Sequence, residues 1–155
     1  EAMNLGDTIP AVTLTGSDGV AFDLSAVRPV AVYFYPKADT TGCTREAIDF
    51  SDLQPQFRAA GVEVIGVSKD SPAKLERFVA KHGLTVRLAS DEGAACEAFG
   101  VWGEKKLYGR SYMGIERATF LFDGAGRLVQ AWRKVKVPGH AEAVLAAARG
   151  VKAAG

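Results

Sequence analysis

Residues 29–50 read PVAVYFYPKADTTGCTREAIDF, and this stretch decides the fold. Its first part, 29–36, is a near-continuous apolar run bounded by Pro29 and Pro36. Such a run predicts a central strand buried on both faces. Its last part opens a helix. In CTREAIDFSDLQPQFRAAG (43–61), Ala47, Ile48, Leu53 and Phe57 recur at roughly helical spacing, and Gly61 is a stop signal. Pro55 is expected to bend or break that helix. Between strand and helix lies a polar turn with Cys43 at its far edge.

Working outward, AVTLTGSDGVAFDL (11–24) has apolar alternation on both sides of GSDG, which predicts an N-terminal β-hairpin. VEVIGVS (62–68) reads as a second buried strand. In SPAKLERFVAKHG (71–83), Ser71 is a candidate N-cap, Pro72 sits at the first helical position, and Gly83 ends the helix. VRLAS (86–90) predicts a short strand and DEGAACEAFG (91–100) a short helix. RATFLFDGAGRLVQAWR (117–133) predicts a hairpin turning at DGAG, and HAEAVLAAARG (140–150) a closing helix. Strand–helix alternation demands parallel pairing with right-handed crossovers, and the late hairpin adds an antiparallel pair. The expected fold is α/β, a mixed central sheet flanked by helices, which is the thioredoxin-like arrangement. Sites in such sheets lie beyond the carboxyl ends of strands, where Cys43 falls.

Bulk properties narrow the function. At 155 residues the chain is expected to form one domain, 1–155. A hydrophobic fraction of 48% is ample for a core. A net charge of +1 gives no bulk electrostatic reason to expect nucleic acid or an acidic membrane as partner. No apolar run is long enough to span a bilayer. The opening EAMNLGDTIP has neither the basic nor the apolar region of a signal peptide, and with so few cysteines a reducing, cytoplasmic setting is the default expectation. Two cysteines are too few for a disulfide scaffold. With only two histidines besides, all widely separated, there is no metal-ligand spacing. His82 and His140 each adjoin a glycine at an expected helix end and read as solvated.

The position of Cys43 gives its sulfur a chemical use. A thiol attacks as its thiolate, and a helix N-terminus offers unpaired N–H groups and the positive end of the helix dipole to an anion. Gly42 allows close backbone approach. Thr40 can aim a hydroxyl at the sulfur or at a substrate, and Glu46 lies in the same first turn.

These residues resemble the peroxidatic segment of the peroxiredoxins. The shared pattern P-x-x-x-[TS]-x-x-C is filled by Pro36, Thr40 and Cys43. The segment SDEGAACEAFGVWGEKKLYGRSYMGIERATFLFDGAGRL (90–128) is similar to the bacterioferritin comigratory protein/PrxQ subfamily. The resemblance implies a thiol peroxidase acting on hydrogen peroxide and organic hydroperoxides through a cysteine sulfenic acid. It implies no prosthetic group, and thioredoxin or another thiol as reductant. It assigns the nucleophile to Cys43 and a supporting arginine to Arg117, at the start of RATFLFD. A guanidinium offers two parallel N–H donors to the developing charge, a geometry lysine lacks. Glu46 is expected to orient that arginine through a salt bridge. Trp102 and Tyr108 are candidates for the rim of the pocket.

Two positions depart from the subfamily. Thr41 stands where proline is common. Ile48 stands where many members carry a second cysteine that resolves the sulfenic acid, and the next long helix, where others carry it, has none. Only Cys96 remains. It shares a helical face with Ala95 and Phe99, a face expected to pack on the sheet, where a thiol is an inert small hydrophobe. An external thiol is therefore the expected resolving agent, ahead of Cys96, and the protein is expected to be a monomer. Other activities fit less well. A thioredoxin-type oxidoreductase needs C-x-x-C, but position 46 is glutamate. A cysteine hydrolase needs a histidine beside Cys43. A non-catalytic binding or holdase module on the same fold is the alternative from another class.

Overall fold

In the computed structural model, which describes residues 3–151, the apolar run after Pro29 is strand β3 (Val30–Phe34), buried along its whole length. Such a strand needs partners on both edges. It pairs in parallel with β4 (Glu63–Ser68) and antiparallel with β8 (Ala118–Phe122). The sheet extends through β5 (Arg87–Ser90), β1 (Thr13–Gly16) and β2 (Ala21–Asp23) on one side. On the other it ends with β9 (Leu128–Trp132). The seven strands run in the order β2-β1-β5-β4-β3-β8-β9. Only β3, β4 and β5 are parallel neighbours. This is the mixed sheet expected from the element order, with its N-terminal β-hairpin in place. The ends of the expected 1–155 domain, residues 1–2 and 152–155, lie outside the described residues.

Alternation along β3 sorts the core into two halves. Ala31, Tyr33 and Tyr35 face one side, and Val30, Val32 and Phe34 face the other. Helices α1 (Thr41–Ala59), α2 (Pro72–His82) and α4 (His140–Ala148) cover the first side through Phe50, Phe57, Leu75, Phe78 and Val144. The short α3 (Ala94–Ala98) covers the second through Ala95 and Cys96. Gly66 in β4 makes room for an aromatic. A Cβ there would overlap the ring tip of Tyr33, which stacks on Phe50 with centroids 4.5 Å apart. Among the described residues no helix is long and apolar enough to cross a membrane.

Three expectations change. First, α1 runs unbroken through Pro55. Proline lacks the N–H that would bond the carbonyl of Ser51 four residues earlier. Thr85 supplies the missing donor, its hydroxyl reaching the Ser51 carbonyl at 3.3 Å. Ser51 Oγ in turn accepts from the N–H groups of Thr85 and Val86 at 3.1 Å each. Second, 102–115 forms a separate hairpin, β6 (Trp102–Leu107) and β7 (Arg110–Ile115), that the periodicity did not mark. Most of its residues are exposed on both faces, so no apolar alternation betrays it. Third, His140 is not a solvated helix end. It opens α4 and is buried, 6% exposed, with Nε2 2.7 Å from Thr119 Oγ1. The glycine beside it caps the start of a helix rather than the end of one. His82 does end α2, where its ring is held 2.8 Å from Asp39.

Candidate active site

The chain leaves β3 at Phe34 and enters α1 at Thr41, so 35–40 form the floor of the site. The turn is tied down by groups from the segment after β4 and from α2. Ala38 N–H donates to Asp70 Oδ2 at 2.8 Å, and Asp70 also accepts from Ser68 Oγ at 2.8 Å. Asp39 adopts a left-handed φ of 63°. Its carboxylate is held by Lys81 and His82 of α2, each at 2.8 Å, and those two partners lower its pKa. Thr40 is the N-cap residue of α1, but its side chain makes no capping bond. Its hydroxyl donates to the Lys37 carbonyl at 2.8 Å, not to the sulfur.

Cys43 is the third residue of α1, 2% exposed, in the core beneath the sheet's first face. Arg117 reaches it from the residue before β8. Its Nη2 lies 3.4 Å from Cys43 Sγ and its Nη1 donates to Glu46 Oε1 at 2.6 Å. Cys43 and Glu46 are three residues apart on one helical face, so a single guanidinium fork spans both. Gly42 permits this approach, since a Cβ at that position would lie 3.2 Å from Arg117 Nη2. Burial pushes the Glu46 carboxyl up to about 7, against the pull of the Arg117 guanidinium. Burial disfavours the charge on Arg117, but Glu46 and Cys43 outweigh it and hold the guanidinium more firmly protonated.

The backbone carrying Arg117 has its own supports, which nothing in the sequence spacing marked. Glu116 accepts from Arg133 Nε at 2.8 Å, from Arg133 Nη2 at 3.0 Å and from Lys134 N–H at 2.9 Å. Val135 N–H donates to the Arg117 carbonyl at 2.9 Å. Behind them sits His140. Its burial, and then the charge of Arg117, lower its pKa to about 4. The folded value lies below the ordinary 6.5, so the unfolded chain takes up the proton first. The contribution is present above pH 6.5 and is lost as pH falls toward 4. On acidification through this window, wild type should lose about 2 kcal/mol more unfolding free energy than His140→Gln, allowing for partial screening. Glu46 works in the opposite direction but is common to both proteins. Equal losses in denaturant titrations at pH 7.5 and pH 4.5 would show that His140 is not held neutral.

Cys96 lies apart. It is buried, but in the core half on the other face of the sheet from Cys43. Ala95 and Phe99 are buried beside it, as the helical spacing required. The Asp91 carboxylate accepts from the N–H groups of Ala95 and Cys96 at 2.9 Å each. Burial and then Asp91 raise the pKa of the Cys96 thiol. Of the expected site residues, Gly42, Cys43, Glu46 and Arg117 converge on one point, while Pro36 and Thr40 belong to the adjoining turn. Trp102 is half-buried in the β6–β7 hairpin. Tyr108 is 95% exposed at its tip.

The AhpC/TSA family model matches residues 5–131. The peroxiredoxin Bcp of Xanthomonas campestris is 48% identical over 137 residues, covering 88% of this chain and 86% of that protein. Escherichia coli peroxiredoxin Bcp is 42% identical, covering 92% and 94%. Among solved structures, the chain is similar to the X. campestris bacterioferritin comigratory protein, studied for its alkyl peroxide reduction activity. The TM-score is 0.86 at 44% identity, covering 94% of this chain and 98% of that one. A Xylella fastidiosa PrxQ mutant gives a TM-score of 0.89 at 42% identity, covering 95% and 96%.

Proposed function

The chain belongs to the AhpC/TSA family, in its Bcp/PrxQ peroxiredoxin branch, and is a thiol-dependent peroxidase; on that premise we propose that Cys43 is its nucleophile. The Cys43 thiolate attacks the terminal oxygen of hydrogen peroxide or an organic hydroperoxide. An S–O bond forms, the O–O bond breaks, and the departing oxygen leaves as water or an alcohol once protonated. The sulfur is left as sulfenic acid.

The observation that carries this reading is the Arg117 fork, bonded at once to Glu46 Oε1 and Cys43 Sγ. Glu46 fixes the guanidinium in advance, so no reorganisation is needed when negative charge moves from sulfur to the leaving oxygen. The helix start adds backbone N–H groups. Thr40 gives its proton to the Lys37 carbonyl, which leaves its oxygen lone pairs to accept from a peroxide O–H.

Resolution is by an external thiol, thioredoxin or a smaller one, in a 1-Cys cycle. Two facts support this. The sheet stands between Cys43 and Cys96, whereas a disulfide needs Cα atoms within about 7 Å. The raised pKa of Cys96 also keeps it from being the attacking thiolate. The working unit is a monomer in a reducing compartment, the cytoplasm, where both thiols stay free between turnovers. Mass spectrometry after one equivalent of peroxide tests the cycle. One added oxygen on the Cys43 peptide, converting to sulfinic acid with excess peroxide, is the expected result. A quantitative Cys43–Cys96 disulfide in the monomer would overturn it.

A further inference from the structure

Beside the turn that precedes α1, the β6–β7 hairpin and the body of the protein form an open concavity of about 420 Å³. This is within the usual range for a small-molecule site, ~300–1,000 Å³. Three lysines line it: Lys37 from the turn that leads to Cys43, Lys69 from the segment after β4, and Lys105 from β6. No carboxylate does. Trp102, Met113 and Ile115 supply apolar wall. Two of the lysines lie against the hairpin wall. Lys69 Nζ lies 4.0 Å from the centroid of the Trp102 ring. The stem of Lys105 crosses Gly114, where an added Cβ would meet it at 3.2 Å. Among the described residues none of the three makes an ion pair, while acids elsewhere take Lys74 and Lys81. Burial and then the Arg117 charge lower the pKa of Lys105, against smaller opposing pulls from Cys43 and the Glu116 carboxylate, so this ammonium lies within the electrostatic reach of the Cys43 sulfur.

A concave site with three unpaired cations selects a small anionic molecule that also has some apolar surface. Two reaction partners could carry such a carboxylate, the reducing thiol or the hydroperoxide. We propose that this cavity binds the resolving reductant, a small thiol bearing carboxylates. The assignment rests on the 1-Cys reading above. With Cys96 across the sheet, every turnover needs a thiol brought to Cys43 from outside, and the lysine-lined wall opens beside its turn. The bound thiolate attacks the sulfenic sulfur. An S–S bond forms, the S–O bond breaks, and hydroxide leaves as water after protonation. A second thiol then attacks the mixed disulfide, releasing the ligand's disulfide and the Cys43 thiol. Two thiols are oxidised to one disulfide as the sulfenic acid is reduced.

The test compares glutathione with its diethyl ester, which keeps the thiol and the skeleton but loses both carboxylates. Rates are taken at equal thiolate concentration on peroxide-oxidised protein. Wild type should react with glutathione roughly tenfold faster than with the ester at low ionic strength, and salt should erode the preference. The double variant Lys37→Gln/Lys69→Gln should bring the ratio close to one, with its circular dichroism spectrum and thermal unfolding midpoint reporting on the integrity of the fold. A ratio near one in wild type, or one unchanged in the variant, overturns the proposal. A second arm compares a carboxylated long-chain hydroperoxide with its methyl ester in the single-turnover oxidation of Cys43. A lysine-dependent preference there and not in the thiol step assigns the cavity to the peroxide and overturns the reductant site. Failure of the underlying cycle is recognised separately, as a Cys43–Cys96 disulfide with no glutathione adduct in the mass spectrum.

Discussion

Cys43→Ser should abolish peroxide consumption while leaving the fold intact. The substitution removes no packing volume of consequence, and the donor that reaches the sulfur, Arg117 Nη2, can serve a hydroxyl equally well. What is lost is the nucleophile, because a serine hydroxyl is hardly ionised at neutral pH without a general base. No histidine stands beside it to act as one. His140 bonds Thr119, and His82 is held by Asp39. Residual turnover above about a tenth of wild type, with an unchanged circular dichroism spectrum, would remove Cys43 from the role of nucleophile.

Arg117→Lys should keep the charge and still lose a factor of about 10²–10³ in kcat/KM, the usual cost of one missing donor to a developing oxyanion. The reason is geometric. The guanidinium reaches Glu46 at 2.6 Å with one nitrogen and Cys43 at 3.4 Å with the other. An ammonium is a single point, so it satisfies the buried carboxylate or the reacting sulfur but does not bridge them in fixed geometry. Glu46 is only 1% exposed and holds its partner strongly, so the lysine should turn toward the carboxylate and leave the sulfur. Single-turnover oxidation of Cys43 by peroxide isolates this step from resolution. A lysine variant within about threefold of wild type in that step would show that the two-pronged contact is not what stabilises the transition state.

The candidate site was legible to the extent that it is local. Cys43 follows a strand that is apolar throughout and opens a helix, and Glu46 lies one turn on, so both positions follow from periods of two and 3.6 residues. Ser71 and Gly83 bound α2 as the capping residues required, with Ser71 Oγ accepting from Lys74 N–H at 3.2 Å. Arg117 was legible through family resemblance and not through spacing, because its contacts to Glu46 and Cys43 close over 71 and 74 residues. Periodicity failed in two places, each where backbone hydrogen bonding did not follow the apolar pattern. Thr85 takes over the carbonyl that Pro55 strands in α1. The pairing of β6 with β7 stabilises a hairpin that lacks an apolar face along most of its length.

The sequence by itself determined the order of strands and helices outside the 102–115 hairpin, the placing of a cysteine where a parallel strand delivers the chain to a helix start, and the apolar face around Cys96. Hydrophobic periodicity and capping are read within one turn or one pleat, and folding has no reason to contradict them there. Only the tertiary structure decided on which side of the sheet each helix lies. That choice puts Cys43 under one face and Cys96 under the other. It also buries His140 against Thr119 and forms a lysine-lined concavity between the hairpin and the turn that precedes α1. Side-chain alternation says that a strand has two faces, but which helix covers which face is set by how the connections pass over the sheet. That depends on every strand having found its neighbour.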